Sequence, residues 1–192
     1  RNQVRLGLES TQTFGANAGR GFVAVDLRHL AIHQDDVVGR TPQRVERYAK
    51  LVLDAELDVL VIQGTVVSAE HVSKTTEPLN LKKFIREFDL PVIVGGCASY
   101  STALHLMRTG AVGILVGVGP GHQCTTRGVL GVGVPQATAI ADAAGARIRH
   151  LDETGVYVHV IADGGMRTGG DVAKAIACGA DAVMIGSPLA GA

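Results

Sequence analysis

Five short runs dominate this chain: "DVLVIQG" from Asp58, "PVIVGG" from Pro91, "VGILVGVG" from Val112, "YVHVIADGG" from Tyr157 and "DAVMIGS" from Asp181. Each is rich in Val and Ile, nearly apolar throughout, and closes on a glycine turn. A strand with one face in water alternates polar and apolar residues. A run that is apolar at every position reads as a parallel strand covered on both faces. Helix-like stretches lie between the runs. Thr41 can cap a helix with Pro42 in its first turn and Val45, Tyr48, Ala49 and Val52 as its apolar stripe. Ser101 or Thr102 can open the next, with Leu104 and Met107 on one face and Gly110 at the stop. Asp171 sits near the start of another, with Val172, Ala175 and Ile176 inward and Gly179 at its end.

Strands alternating with helices predict either a (β/α)₈ TIM barrel or a doubly wound sheet. Both put their functional loops after the strand C-termini. The barrel is favoured, because the phosphate-type glycine turns, "ADGG" and "IGS", follow the last two strands. A dinucleotide-binding sheet carries GxGxxG after its first strand, and no clean GxGxxG stands in that context. A complete barrel takes ~250 residues, whereas this chain has 192. With a sixth run, "GFVAVDL", counted beside the five, the expectation is an incomplete barrel lacking early strands and its C-terminal tail. Residues 1–40 form an unassigned N-terminal segment, and 41–192 form a partial barrel that is the catalytic domain.

The bulk composition narrows the function classes. Lys+Arg and Asp+Glu are both 18, so no global field steers the chain to nucleic acid or to an anionic membrane. No apolar run approaches the roughly 18 residues of a membrane span, and the first residues lack a secretory apolar core. The cysteines, Cys97, Cys124 and Cys178, are odd in number, far apart and without CxxC. That pattern argues against a disulfide framework or a zinc site, and points to a reducing, cytoplasmic setting. No histidine pair has metal-ligand spacing such as HExxH.

The stretch "GVGPGHQCTTRGVLGVGVPQ", residues 117–136, sets Cys124 in a glycine-rich loop beside Thr125, Thr126 and Arg127. Two readings stand: a packed free thiol, or a nucleophile whose thiolate is favoured by loop amides and the nearby cation. Cys97 reads as a small filler and Cys178 as helix packing. Gly119 and Gly121 bracket Pro120 in a turn whose main chain can wrap an ion, or simply turn. Asp163, at the end of a strand, can accept two hydroxyls such as those of a ribose, or can cap the turn after it. Gly164 and Gly165 let backbone amides reach a phosphate, and Gly186 with Ser187 repeats the arrangement after the next strand. His122 is either a phosphate or base contact or a solvated loop residue.

Taken together, "GVGPGHQCTTRGVLGVGVPQATAIADAA" and "VIADGGMRTGGDVAKAIACGADAVMIGSPLA" resemble the IMP dehydrogenase/GMP reductase family, over about residues 41–192. The resemblance implies a (β/α)₈ barrel, tetrameric when full length, that acts on IMP or GMP. It makes Cys124 the nucleophile and Thr126 its assistant in proton handling. It makes Asp163 the ribose ligand, and Gly165, Gly186 and Ser187 phosphate contacts, with His122 standing where the family has a serine phosphate ligand. It gives potassium the main-chain carbonyls of Gly119, Gly121 and Cys124, and gives the cofactor side to Gly95 and Gly96. The cofactor is NAD for a dehydrogenase (IMP to XMP through a Cys124 thioimidate) and NADPH for a reductase (GMP to IMP with loss of ammonia). Two departures lie on the cofactor side: Cys97 stands where the family commonly has Asn, and Gln63 where the dehydrogenase has Asp. A non-catalytic purine nucleotide sensor is the alternative of another class.

Overall fold

The computed structural model describes residues 14–17, 22–25, 29–33, 58–63, 80–87 and 89–190, the first three segments as backbone strands. The strands are β1 (Phe14–Asn17), β2 (Phe22–Val25), β3 (His29–His33), β4 (Val59–Gln63), β5 (Val92–Cys97), β6 (Gly113–Val116), β7 (His159–Asp163) and β8 (Ala182–Met184). The helices among the described residues are α1 (Leu81–Ile85), α2 (Tyr100–Met107), α3 (Thr126–Leu130), α4 (Gln136–Thr154) and α5 (Gly169–Ala177). The sheet order is β2-β1-β8-β7-β6-β5-β4-β3. Neighbours from β3 through β8 all pair in parallel. The fold is therefore α/β, a partial (β/α) barrel, and the five apolar runs are β4 to β8.

The N-terminal strands differ from expectation. "GFVAVDL" forms β2, but β2 pairs antiparallel with β1, and β1 pairs antiparallel with β8. It does not extend the parallel series. The sixth parallel strand is "HLAIH", β3, which runs in register with β4 from His29↔Val59 to His33↔Gln63. The helix expected from Thr41 lies outside the described residues.

β4 to β8 are nearly apolar because they are packed on both faces. Side chains alternate across a strand, and the core divides accordingly. Leu60, Ile62, Val92, Val94, Ile114, Val116, Val160 and Ala162 pack in one cluster with helix residues such as Leu104, Met107 and Ile140. The residues between them, Val61, Ile93, Leu115, Ile161 and Ala182, form a second cluster on the other face. Such layers of inward side chains from successive strands are the filling of a barrel. β5 and β6 are buried along their whole length.

The helix starts are set by side-chain caps. Ser99, two or three residues earlier than the expected Ser101 or Thr102, caps α2 by accepting from the N–H of Thr102. Thr168 and Asp171 form a reciprocal capping box at the start of α5. There Ala175 is buried, with Val172 and Ile176 packed on the core. Cys178 lies at the C-cap of α5 rather than mid-helix, still against the core.

Candidate active site

The site forms where β4 to β7 end. A cavity of about 220 Å³ is lined by Gln63, Gly96, Gly117, Val118, Gly119, Pro120, Gly121, Cys124, Thr126, Asp163 and Gly164. Gln63 and Asp163 are the last residues of β4 and β7, and Gly117 follows β6. All the sequence-predicted groups in it thus reach one end of the parallel sheet.

Two glycine segments make this possible by docking on one another. Gly117 has φ +139°, and a Cβ there would lie 2.6 Å from the Asp163 carbonyl oxygen, so only glycine lets the ends of β6 and β7 come so close. Gly164 and Gly165 both have φ +81°; a Cβ on Gly164 would press on Pro120 and Gly121 at 3.2 Å, and one on Gly165 on the Pro120 carbonyl at 3.0 Å. The Gly-Pro-Gly turn of one loop rests on the Asp-Gly-Gly turn of the next.

Cys124 is exposed in the loop just before α3, and its backbone N–H donates to the Gly121 carbonyl at 3.1 Å. This curl brings the thiol close to Gly121, where a Cβ would sit 3.2 Å from Sγ. Cys97 is the opposite case. It is fully buried, burial pushes its thiol up to about 12, and the S–H lies 3.5 Å from the Leu115 carbonyl. It is a packing residue, and Cys124 is the accessible thiol of the site. Arg127 is not the cation beside Cys124 that its sequence position implies. Its Nε donates to the Val118 carbonyl at 3.2 Å and its Nη2 to the Val134 carbonyl at 2.8 Å. The guanidinium ties the two ends of the Cys124 loop together instead.

Asp163 is half-buried, and desolvation pushes its carboxyl up to about 6. The Nε2 of Gln63 donates to its Oδ2 at 3.4 Å. Behind the loop, the Nε2 of Gln136 donates to the Val116 carbonyl at 2.6 Å and to the Asp163 carbonyl at 3.4 Å. Gln136 therefore straps β6 to β7 from the start of α4. Nothing in its sequence neighbourhood marks it, because both of its partners are more than a dozen residues away.

The remaining expected residues fall outside the cavity lining. His122, Gly165, Gly186 and Ser187 are exposed. Gly95 answers to packing, since a Cβ there would collide with the Cβ of Leu115 on β6. Gly96 does line the cavity. Among the described residues no cluster of three or more His, Cys, Asp or Glu could hold a metal ion, and no helix is long and apolar enough to cross a membrane.

Residues 32–192 match the family model for the IMP dehydrogenase / GMP reductase domain. An uncharacterized oxidoreductase of Mycobacterium tuberculosis is 59% identical over 152 residues, which is 78% of this chain and 40% of that protein. Inosine-5'-monophosphate dehydrogenase of Methanocaldococcus jannaschii is 46% identical over 153 residues, 78% of this chain and 28% of that protein. The crystal structure of an IMP dehydrogenase/GMP reductase-like protein from Corynebacterium glutamicum superposes with a TM-score of 0.71 at 52% identity, covering 87% of this chain and 41% of that one. This chain spans about two-fifths of the length of the uncharacterized oxidoreductases it matches. On the family match and on the sheet that carries the site, the chain belongs to the IMP dehydrogenase/GMP reductase family.

Proposed function

We propose that this chain is the nucleotide-binding and nucleophile-bearing part of a purine nucleotide oxidoreductase of the IMP dehydrogenase type, converting IMP, NAD and water to XMP and NADH. The observation that carries the reading is the convergence of Cys124, Thr126 and Asp163 on one cavity. At about 220 Å³ the enclosed space is smaller than the ~300–1,000 Å³ of a typical whole-ligand pocket. It suits a base and ribose, with the phosphate lying outside, over Gly165 and the exposed Gly186–Ser187 turn and within reach of His122.

In this reading the Cys124 thiolate bonds to C2 of the purine and a hydride leaves C2. NAD, when bound, supplies the acceptor for that hydride. Water then adds at C2 of the resulting thioimidate, its proton passes through Thr126, and the C–S bond breaks to return the thiolate. Asp163 accepts the ribose hydroxyls and so holds C2 over the sulfur. The main-chain carbonyls of Gly119, Gly121 and Cys124 fit a potassium ion chemically, as hard oxygen ligands on one curled loop. Gly96 is the lining residue available to the cofactor.

GMP reductase is the second reading, and Gln63 favours it. A neutral carboxamide turned to Asp163 ends β4, where the dehydrogenase pattern has a carboxylate for the cofactor. Absorbance at 340 nm with the intact protein separates the two: a rise with IMP and NAD supports the dehydrogenase, and a fall with GMP and NADPH supports the reductase. 6-Chloropurine ribotide tests the thiol itself. An adduct at Cys124, lost in Cys124→Ser, is expected by mass spectrometry. A folded protein that binds IMP but forms no adduct would be a nucleotide sensor.

A further inference from the structure

Gln63 and Asp163 are a hundred positions apart in the chain and lie on strands separated in the sheet by β5 and β6. Their side chains nevertheless meet at 3.4 Å. The curvature of the sheet explains this. Gln63 is two residues after Val61, and Asp163 two after Ile161, so both point to the same face as the interior cluster of Val61, Ile93, Leu115 and Ile161. The pair is the top layer of that filling, and the layer where it gives way to the cavity.

We infer that Gln63 is a positioning residue for Asp163, its carboxamide holding Oδ2 so that Oδ1 faces the ligand. The inference rests on the reading of Asp163 as the hydroxyl-binding carboxylate and adds the group that keeps it in place. A carboxylate largely withdrawn from water is held charged by hydrogen-bond donors and otherwise takes up a proton more readily. Among the described residues, the cavity lining supplies few charges for the task. Of the residues lining the cavity, Cys124 and Asp163 are the titratable ones, and the rest are glycines, Val118, Pro120, Thr126 and Gln63. Arg127 is spent on the carbonyls of Val118 and Val134. Gln136 reaches Asp163 only at its backbone carbonyl, so it fixes the main chain and leaves the carboxyl to Gln63. Burial pushes this carboxyl up to about 6, and a donor that favours the charged form opposes that shift.

The test is the titration of the Asp163 side-chain carboxyl in the intact protein, followed by ¹³C NMR and assigned with Asp163→Asn. Gln63→Met keeps the bulk and removes the donor, and should raise the midpoint by roughly half a unit or more. Gln63→Glu places a second carboxyl beside the first, and should split the titration into two steps with the upper one higher still. A midpoint unmoved in either folded variant overturns the inference. With IMP added, the pH below which affinity falls should move up with the midpoint in Gln63→Met, and affinity should recover by about pH 8. A shifted midpoint with an unshifted binding profile also overturns the positioning role. If the native protein binds neither IMP nor GMP, the proposed function falls, while the titration still decides whether Gln63 governs Asp163.

Discussion

On the proposed function, Asp163 carries opposite demands for stability and for binding. Its folded carboxyl titrates at about 6, against 3.8 for an ordinary aspartate, because burial disfavours the charge. The native state therefore holds a proton that the unfolded chain releases between those values. The stability that goes with that proton is full below pH ~4 and lost as pH rises through ~6. Asp163→Asn removes the charge and should stabilise the protein at pH 7.5 by roughly 1–3 kcal/mol, with the gain vanishing near pH 4. Urea denaturation at the two pH values measures it. The same variant should weaken IMP binding at pH 7.5 at least tenfold, through loss of charge-assisted hydrogen bonds to the ribose. A site that gains stability when its carboxylate is neutralised is one whose charge is kept for a ligand. Cys124 shows the same logic among the thiols: the buried Cys97 is inert through burial, and the exposed one stands in the loop over the cavity.

At the scale of the element, capping decides where the βα units turn. The Thr168–Asp171 box starts α5 directly after the Asp163–Gly165 turn, and Lys174 adds an ion pair to Asp171 at 2.9 Å. Thr168→Ala should cost about 1 kcal/mol in urea unfolding. It should also loosen the turn, seen as faster amide exchange at Arg167 and Thr168, both of whose N–H groups donate to Asp171. The strands were readable from sequence because burial on both faces leaves a run with no polar gap, as in β5. The start of α2 was displaced to Ser99 because "ASYST" offers several residues able to cap. Which one does so depends on where the strand before it ends. α3 was hidden for a related reason, since a short helix inside a glycine-rich loop has neither length nor periodicity to mark it.

Across the molecule, the candidate site and a stabilising cluster occupy opposite ends of the sheet. Asp181 stands just before β8, at the N-terminal end of the parallel strands. It accepts from Arg147 Nη1 at 2.5 Å, from the Tyr157 hydroxyl at 2.6 Å and from the Val160 N–H at 2.8 Å. Arg147 in turn lies over the Tyr157 ring, 5.0 Å from its centre. One carboxylate thus joins α4, β7 and β8. Asp181→Ala should lower unfolding stability by roughly 2–3 kcal/mol, because it takes the carboxylate acceptor from the buried Val160 N–H and the ion pair from the Arg147 guanidinium. Affinity for IMP in the same variant should be unchanged. A loss of affinity equal to that of Asp163→Asn would show that the two ends are not independent.

The alternation of two-faced apolar runs with glycine-stopped helices was sufficient to identify an α/β parallel fold, since period and punctuation are local properties of the chain. The glycine loop, Cys124 and Asp163 stood out for the same reason: small, flexible neighbours mark places where backbone must come close to something. What they come close to is not local. That Gly164 and Gly165 face Pro120, that Arg127 braces its own loop rather than the thiol, and that Gln136 straps two strand ends follow from how neighbouring strands stack. The pairing of β1 and β2 antiparallel at the β8 edge is likewise a choice of neighbour, which a short apolar run such as "GFVAVDL" does not encode. The contact between Gln63 and Asp163 depends on the curvature of the sheet, which bends β4 towards β7 across two intervening strands.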